Sequence, residues 1–322
     1  LQAISDTQGR GLEQSGILVL DKPEGMTSAR VVGRLKKMLG ARKAGHAGTL
    51  DPFATGVLVC MLNQATRLGR FLLAGDKSYT AVLHLGIETD TQDSTGDVID
   101  RHPVHRDIED RLAHALRLFE GEIEQRPPVF SALKHKGVPL YKLARQGLPV
   151  QKPARRVTIK KLQVTAVELP EVHFQVTCSA GTYIRSLCAD VGRVLGCGGH
   201  LSRLRRTASS GFGIEDALSL ADLETRVREN KYQVSLISPT AALTGMPKIV
   251  ADETATFKIN NGVRLTADDL QRPDLQTGFV RRHDEALYCK VVDARERLLA
   301  VVRFQAPKQQ YDYCCVFPQT NN

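Results

Sequence analysis

Gly45-His46-Ala47-Gly48-Thr49-Leu50-Asp51-Pro52-Phe53-Ala54-Thr55-Gly56 is the stretch on which the reading of this 322-residue chain turns. Its glycines, its proline directly after an aspartate and its lack of apolar periodicity exclude a core helix or strand. Glycine opens backbone conformations closed to other residues and lets a neighbouring chain pass close by. Proline keeps the residue before it extended. The stretch therefore predicts a rigid irregular loop that aims one carboxylate, Asp51, with His46 five residues ahead of it. Asp-Pro in a generic glycine-rich segment is more often a solvated surface turn.

On the N-terminal side, Gly16 to Leu20 is a short apolar run that predicts a buried strand, and Asp21 to Gly25 turns the chain. Thr27 or Ser28 caps a helix striped with Val31, Val32, Leu35, Met38 and Leu39 and stopped by Gly40. Lys36, Lys37, Arg42 and Lys43 close it, suiting the helix dipole or a phosphate equally. Residues 1–14 are polar and read as a disordered lead-in without a signal peptide.

On the other side, residues 65–73 are helical in pattern, and 79–85 alternate as a strand should. Residues 88–100 are acidic and turn-rich. Asp107 caps an amphipathic helix carrying Ile108, Leu112, Leu116 and Phe119, closed by Gly121. Pro139 to Gln146 is a short helix, 156–167 and 172–178 are partner strands, and Tyr183 to Leu195 is a helix followed by a strand over 201–208. A polar helix over 219–230 comes next, and the pattern loosens over 230–247, where a boundary belongs. Beyond it, a helix at 254–261 and strands at 286–292 and 298–304 predict a small, mostly β module. The tail after 305 is a last strand of that module or a loose end.

Charge is distributed unevenly. The chain carries a formal +9, yet from Gln125 to Val167 there is no acidic residue and there are ten lysines and arginines. Solvated faces usually mix signs, so a run this one-sided favours a polyanion such as a nucleic-acid backbone. No apolar run reaches the length of a membrane span. Seven cysteines without a C-x-x-C pair suit buried thiols in a reducing cytoplasm. Cys197-Gly-Gly-His200 has half-site metal spacing with no second half, so no metal is expected.

Several segments, in order, resemble one family. GHAGTLDPFATGVL (45–58) resembles the signature loop of the TruB family, the bacterial tRNA pseudouridine-55 synthases. DKPEGMTS (21–28), DKSYTAVLHLGIETDTQDSTGD (76–97), RPPVFSALKHKGVPLYKLARQG (126–147), CSAGTYIRSL (178–187) and GCGGHLSRLRR (196–206) resemble the same family. FKINNG (257–262) resembles the start of its PUA-like domain.

The resemblance implies an α+β fold: a mixed, largely antiparallel sheet flanked by helices over 15–240, and a small, mostly β PUA-like RNA-binding domain over 247–318. It implies conversion of uridine to pseudouridine in the TΨC loop of tRNA by a cytoplasmic, monomeric enzyme that needs no cofactor, metal or guide RNA. Asp51 would be the catalytic carboxylate, Arg185 its partner, and Tyr79 the ring on the target base, with Leu204 packing from the other side. His46 would fill the space left by the flipped nucleotide, since a base inside folded RNA must be extruded to react. Lys22 and Tyr183 fall on further site positions. Lys134, Lys136 and Arg145 would hold phosphates of the T-stem-loop. The chemistry of the residues is compatible: an aspartate is ionised at neutral pH unless burial raises its pKa, and an arginine fork is the usual partner of a buried one. Two other readings stay open, a dyskerin-like subunit dependent on a guide RNA and a non-catalytic tRNA chaperone; the TDTQDSTG segment (89–96) resembles stand-alone bacterial members.

Overall fold

The computed structural model describes residues 14–105, 107–270 and 287–318. Most of the lead-in, residues 1–13, lies outside them, as does Ala286 at the head of an expected strand.

The chain opens with strand β1 (Gly16–Lys22), helix α1 (Ser28–Leu39), and strands β2 (Ala44–His46) and β3 (Thr55–Leu62). Helix α2 (Gly69–Leu73) leads to β4 (Lys77–Leu85), and a hairpin of β5 (Ile87–Thr89) and β6 (Val98–Arg101) follows. Next come α3 (Ile108–Arg117), β7 (Gly121–Gln125), the short hairpin β8 (Lys134–His135) and β9 (Val138–Pro139), and α4 (Leu140–Arg145). The long strands β10 (Arg155–Glu168) and β11 (Glu171–Cys178) precede α5 (Ile184–Leu195), β12 (Gly199–Ser209), β13 (Phe212–Gly213) and α6 (Leu220–Arg228).

The strands join in one nine-stranded sheet whose spine runs β1-β3-β12-β4-β11-β10-β7, with β2 on β3 and β13 on β12. Only the β3–β12 contact is parallel; the other ladders are antiparallel. The expected α+β architecture is the observed one. Tyr79, Ala81, Leu83 and Leu85, on one face of β4, share a core with Ile184, Leu187, Cys188 and Val191 of α5 and with α3. Helices α1 and α6 cover β1 and β3 through Val31, Leu35 and Leu223. Thr27 accepts a bond from the Arg30 amide, and Gly40 ends α1 in the left-handed region, as the pattern predicted.

Two details differ. Asp107 makes no capping bond, because its own backbone is already helical; its carboxylate instead stands 3.6 Å from Arg111. The α3 helix also stops before Gly121, and that glycine opens β7.

The C-terminal unit is a five-stranded sheet ordered β14 (Lys248–Val250), β16 (Leu287–Val292), β17 (Leu298–Gln305), β18 (Gln310–Val316), β15 (Leu265–Thr266), with helix α7 (Glu253–Asn260) against it. The tail left open by its composition is therefore strand β18. Val292, Leu298, Val301 and Phe317 of this unit join Ile17, Met61 and Phe71 in one apolar cluster.

Candidate active site

The Asp51 loop runs from β2 to β3 and is fastened from beneath. Ser28, at the head of α1, donates to the Leu50 carbonyl at 3.0 Å and accepts from the Leu50 amide at 2.8 Å. Leu50 and Ala54 are sunk in the core on either side of Asp51. The Pro52 carbonyl accepts from Gly25 N at 2.8 Å and from Lys22 Nζ at 3.2 Å. Two glycines are required by geometry: Gly48 and Gly56 both have left-handed φ, and a Cβ at Gly56 would collide with the Arg206 main chain. The loop aims one carboxylate because its main chain is tied down on both sides of Asp51.

Asp51 reaches Arg185, whose Nε lies 3.1 Å from Asp51 Oδ2. Arg185 stands in the first turn of α5, the end of a helix that disfavours a cation, so its charge requires partners. Nη1 meets Asp93 Oδ2 at 3.2 Å and the Thr91 carbonyl at 3.0 Å; Nη2 donates to the Phe130 carbonyl at 2.8 Å. The guanidinium thus joins the Asp51 loop, the β5–β6 hairpin and the start of the basic segment. Asp93 was not singled out from the sequence. Its Oδ1 accepts from Thr91 Oγ1, the Thr95 amide and Thr95 Oγ1, a local pattern that the flanking threonines signal. Gln125 is a second omission: its side chain accepts from the Tyr183 amide at 2.7 Å and donates to the Tyr183 carbonyl at 3.0 Å, capping α5 where no capping residue precedes it.

Burial pushes the Asp51 carboxyl above its ordinary range; Arg185 pulls it back, Asp93 pushes it further up and Lys22 pulls it down. A cavity of about 320 Å³ opens over this carboxylate, walled by Tyr79, Tyr183, Arg185, Leu204 and Arg206. Burial also raises the Tyr79 phenol, and Arg206 opposes it. The Tyr183 ring lies under the Arg155 guanidinium at 5.1 Å.

The structure thus gathers Asp51, Tyr79, Tyr183, Arg185 and Leu204 around one space. Lys22 and His46 are not in its wall. Lys22, expected against substrate, is fully buried beneath the loop, its Nζ on the carbonyls of Pro23, Met26 and Pro52. Burial brings its pKa down to about 8, with Asp51 opposing that shift. His46 is half-buried on β2, its Nδ1 enclosed without a partner; burial and then Arg206 depress its pKa.

Lys134, Lys136 and Arg145 are exposed on the β8–β9 hairpin and α4. Ser131, Ala132 and Leu133, at the root of that arm, form part of the cavity wall. Three other cations of the acid-free run meet partners within the chain. Lys160 pairs with Asp76 at 2.6 Å, Arg156 with Glu122 at 3.4 Å, and Arg155 donates to the Gly181 carbonyl.

A family model described as the N-terminal domain of TruB family pseudouridylate synthase matches residues 36–184, and one described as the tRNA pseudouridylate synthase B C-terminal domain matches 185–243. The two matches meet at the start of α5, although β12 of the second lies between β3 and β4 of the first, so both contribute to one sheet. The chain is 47% identical over 255 residues to a protein of Syntrophotalea carbinolica named tRNA pseudouridine synthase B, covering 79% of this chain and 83% of that one. It is 42% identical over 289 residues to a protein of the same name from Burkholderia mallei, covering 89% and 92%. Among solved structures, a Cbf5–Nop10–Gar1 complex holds a chain similar at TM-score 0.72 and 31% identity, over 94% of this chain and 84% of that one. An H/ACA RNP bound to a substrate RNA containing 2′-deoxyuridine gives TM-score 0.66 and 28% identity, over 92% and 81%.

Proposed function

The chain belongs to the TruB family of pseudouridylate synthases, and from that membership we propose how its own residues isomerise uridine to pseudouridine in the TΨC loop of tRNA, at position 55. The reaction breaks the N1–C1′ bond, turns the base, forms the C5–C1′ bond, and moves a proton from C5 to N1. It therefore needs a carboxylate at the sugar or at C6, a group near C5, and a space that keeps water out. One observation carries the reading: Asp51 stands 3.1 Å from a buried arginine, facing a cavity walled by a tyrosine and a leucine. Arg185 opposes the pull of burial on the Asp51 carboxyl and fixes its direction, as a nucleophile requires. Tyr79 and Leu204 grip the flipped base from two sides. Tyr183 and Arg155 form the wall beside them. Lys22 acts from beneath, keeping the loop in place, and His46 fills the space the base leaves in the RNA.

Residues 15–240 form the catalytic domain and 247–318 the PUA-like RNA-binding domain. Lys134, Lys136 and Arg145 lie along T-stem-loop phosphates; such contacts position RNA without reading its sequence. The protein works alone, as a monomer, where tRNA is, in the cytoplasm. Among the described residues no helix is long and apolar enough to cross a membrane.

The test is incubation with an unmodified tRNA transcript, without guide RNA or other protein, then carbodiimide mapping of pseudouridine. One stop at the T-loop uridine, absent with Asp51→Asn, is the expected result. Modification that appears only with a guide RNA and partner proteins would move the chain to the dyskerin-like reading. Binding with no modification under either condition would leave a chaperone.

A further inference from the structure

Arg206 heads the large side chains that the fold buries completely, at 1% exposure, and the roles assigned above do not explain why an arginine is there. It stands in β12, opposite Gly56 of β3 on one side and Tyr79 of β4 on the other. Its Nε donates to the Val57 carbonyl at 2.7 Å and Nη2 to the Gly48 carbonyl at 3.1 Å, so it clasps the Asp51 loop near both ends. Among the described residues no carboxylate pairs with it; it faces Tyr79 across the β12–β4 ladder, and both side chains line the cavity over Asp51. A buried cation without a counter-ion is expensive, and fastening two carbonyls does not require one.

The donor inventory decides what a contact between the two would do. A guanidinium has only N–H donors, whereas a phenol both donates and accepts. Turned toward Arg206, the Tyr79 oxygen can only accept, which would leave its own hydrogen pointing away from the arginine, into the cavity. We propose that Arg206 is a positioning residue for Tyr79: it turns the phenol hydrogen toward the bound base and couples that orientation to the loop carrying Asp51. This rests on the reading of Tyr79 as the group that acts on the base. The two main-chain bonds fix the guanidinium, and the guanidinium fixes the phenol. It also leaves a positive charge beside the phenol oxygen, ready for any negative charge that develops there.

The test is a cycle of Arg206→Lys and Tyr79→Phe, read by single-turnover rate at saturating unmodified tRNA, by tRNA affinity and by thermal melting. Lysine keeps the charge but cannot span both carbonyls and the phenol. Arg206→Lys should bind tRNA within about threefold of wild type and react about 30- to 100-fold more slowly, while in the Tyr79→Phe background it should cost less than about threefold, since coupled residues are non-additive. Equal losses in the two backgrounds would overturn the proposal, because they would make Arg206 a support of the loop alone. Tyr79→Phe at full rate would instead remove the reading of Tyr79, a separate outcome. Should Arg206→Lys fail to fold, guanidinium NMR of the protein with Arg206 intact decides. A slowly exchanging Nη–H signal that is lost in Tyr79→Phe supports the contact, and one that is unchanged refutes it.

Discussion

Arg185 serves two carboxylates, and they are not equivalent. Asp93 is enclosed and has its own hydrogen bonds to Thr91 and Thr95, whereas 35% of the Asp51 side chain remains open to the cavity. Asp51 has a raised pKa, which means that the folded protein holds its proton more tightly than the unfolded chain does. Its contribution to stability therefore improves as pH falls through the window between the ordinary carboxylate range and the raised value, and worsens as pH climbs back. On the proposed chemistry activity runs the opposite way, since a carboxylate that attacks must be ionised. Asp51→Asn should lower the single-turnover rate by on the order of 10⁴-fold while its melting temperature at pH 7 equals or exceeds that of wild type. The acid limb of the wild-type rate should lie above the usual carboxylate range. A large drop in melting temperature would contradict this division between stability and chemistry. Asp93→Ala should behave in reverse, costing about 3–5 kcal/mol in denaturant unfolding because it strips a buried cation of its enclosed partner. A cost under about 1 kcal/mol, the scale of an exposed pair, would show that Asp93 does not hold Arg185.

At the scale of elements, six of the ten cations of the acid-free run fall into two groups that a linear reading cannot separate. Lys134, Lys136, Lys142 and Arg145 stand exposed on the β8–β9 hairpin and α4, without a carboxylate partner among the described residues. Arg156 and Lys160 lie on β10, where Glu122 of the neighbouring β7 and Asp76 reach them. Those acids come from other parts of the chain, so the charge run overstates the RNA face. Lys134→Ala with Lys136→Ala should weaken tRNA binding and reduce the slope of log K against log salt by about 0.7–0.9 for each phosphate contact removed. Arg156→Ala with Lys160→Ala should leave that slope nearly unchanged. Equal effects from the two pairs would mean that the whole run, not the arm, lies on RNA. Other elements were legible for a local reason: α1 has a threonine cap, a left-handed glycine stop and an apolar stripe, all within a few residues of one another. Asp93 and Arg206 were not, because the first takes its meaning from Arg185 of α5 and the second from partners across the β3–β12 and β12–β4 ladders.

For the whole molecule, the question is whether the C-terminal unit is a separable RNA-binding attachment. Composition marked the loosening over 230–247 and the β character beyond it, but a linear pattern cannot reveal which face of the small sheet is covered. Ile17, Met61 and Phe71 of the catalytic sheet are buried with Val292, Leu298, Val301 and Phe317 in a single cluster. Lys290 also donates to the carbonyls of Thr240 and Leu243 in the connection. Removing residues 247–322 would therefore expose core of the catalytic unit, at about 1.5–3 kcal/mol for each large apolar side chain uncovered. A loss of rate in such a truncation would report unfolding as readily as recognition, so the domain's part in binding must be tested with its fold intact. Phe257 on α7 is 67% exposed, and Arg264 is exposed shortly after it in the chain. An exposed ring with a nearby cation suits stacking on a base, worth about 1–3 kcal/mol by alanine substitution. If the unit touches tRNA beyond the T arm, Phe257→Ala with Arg264→Ala should weaken binding of full-length tRNA by about 5- to 30-fold. Affinity for an isolated T-arm hairpin, the saturating rate and the melting temperature should all stay unchanged. Equal loss on the hairpin would place this surface at the T arm itself, and no loss on either RNA would leave the small sheet as a cover for the catalytic core.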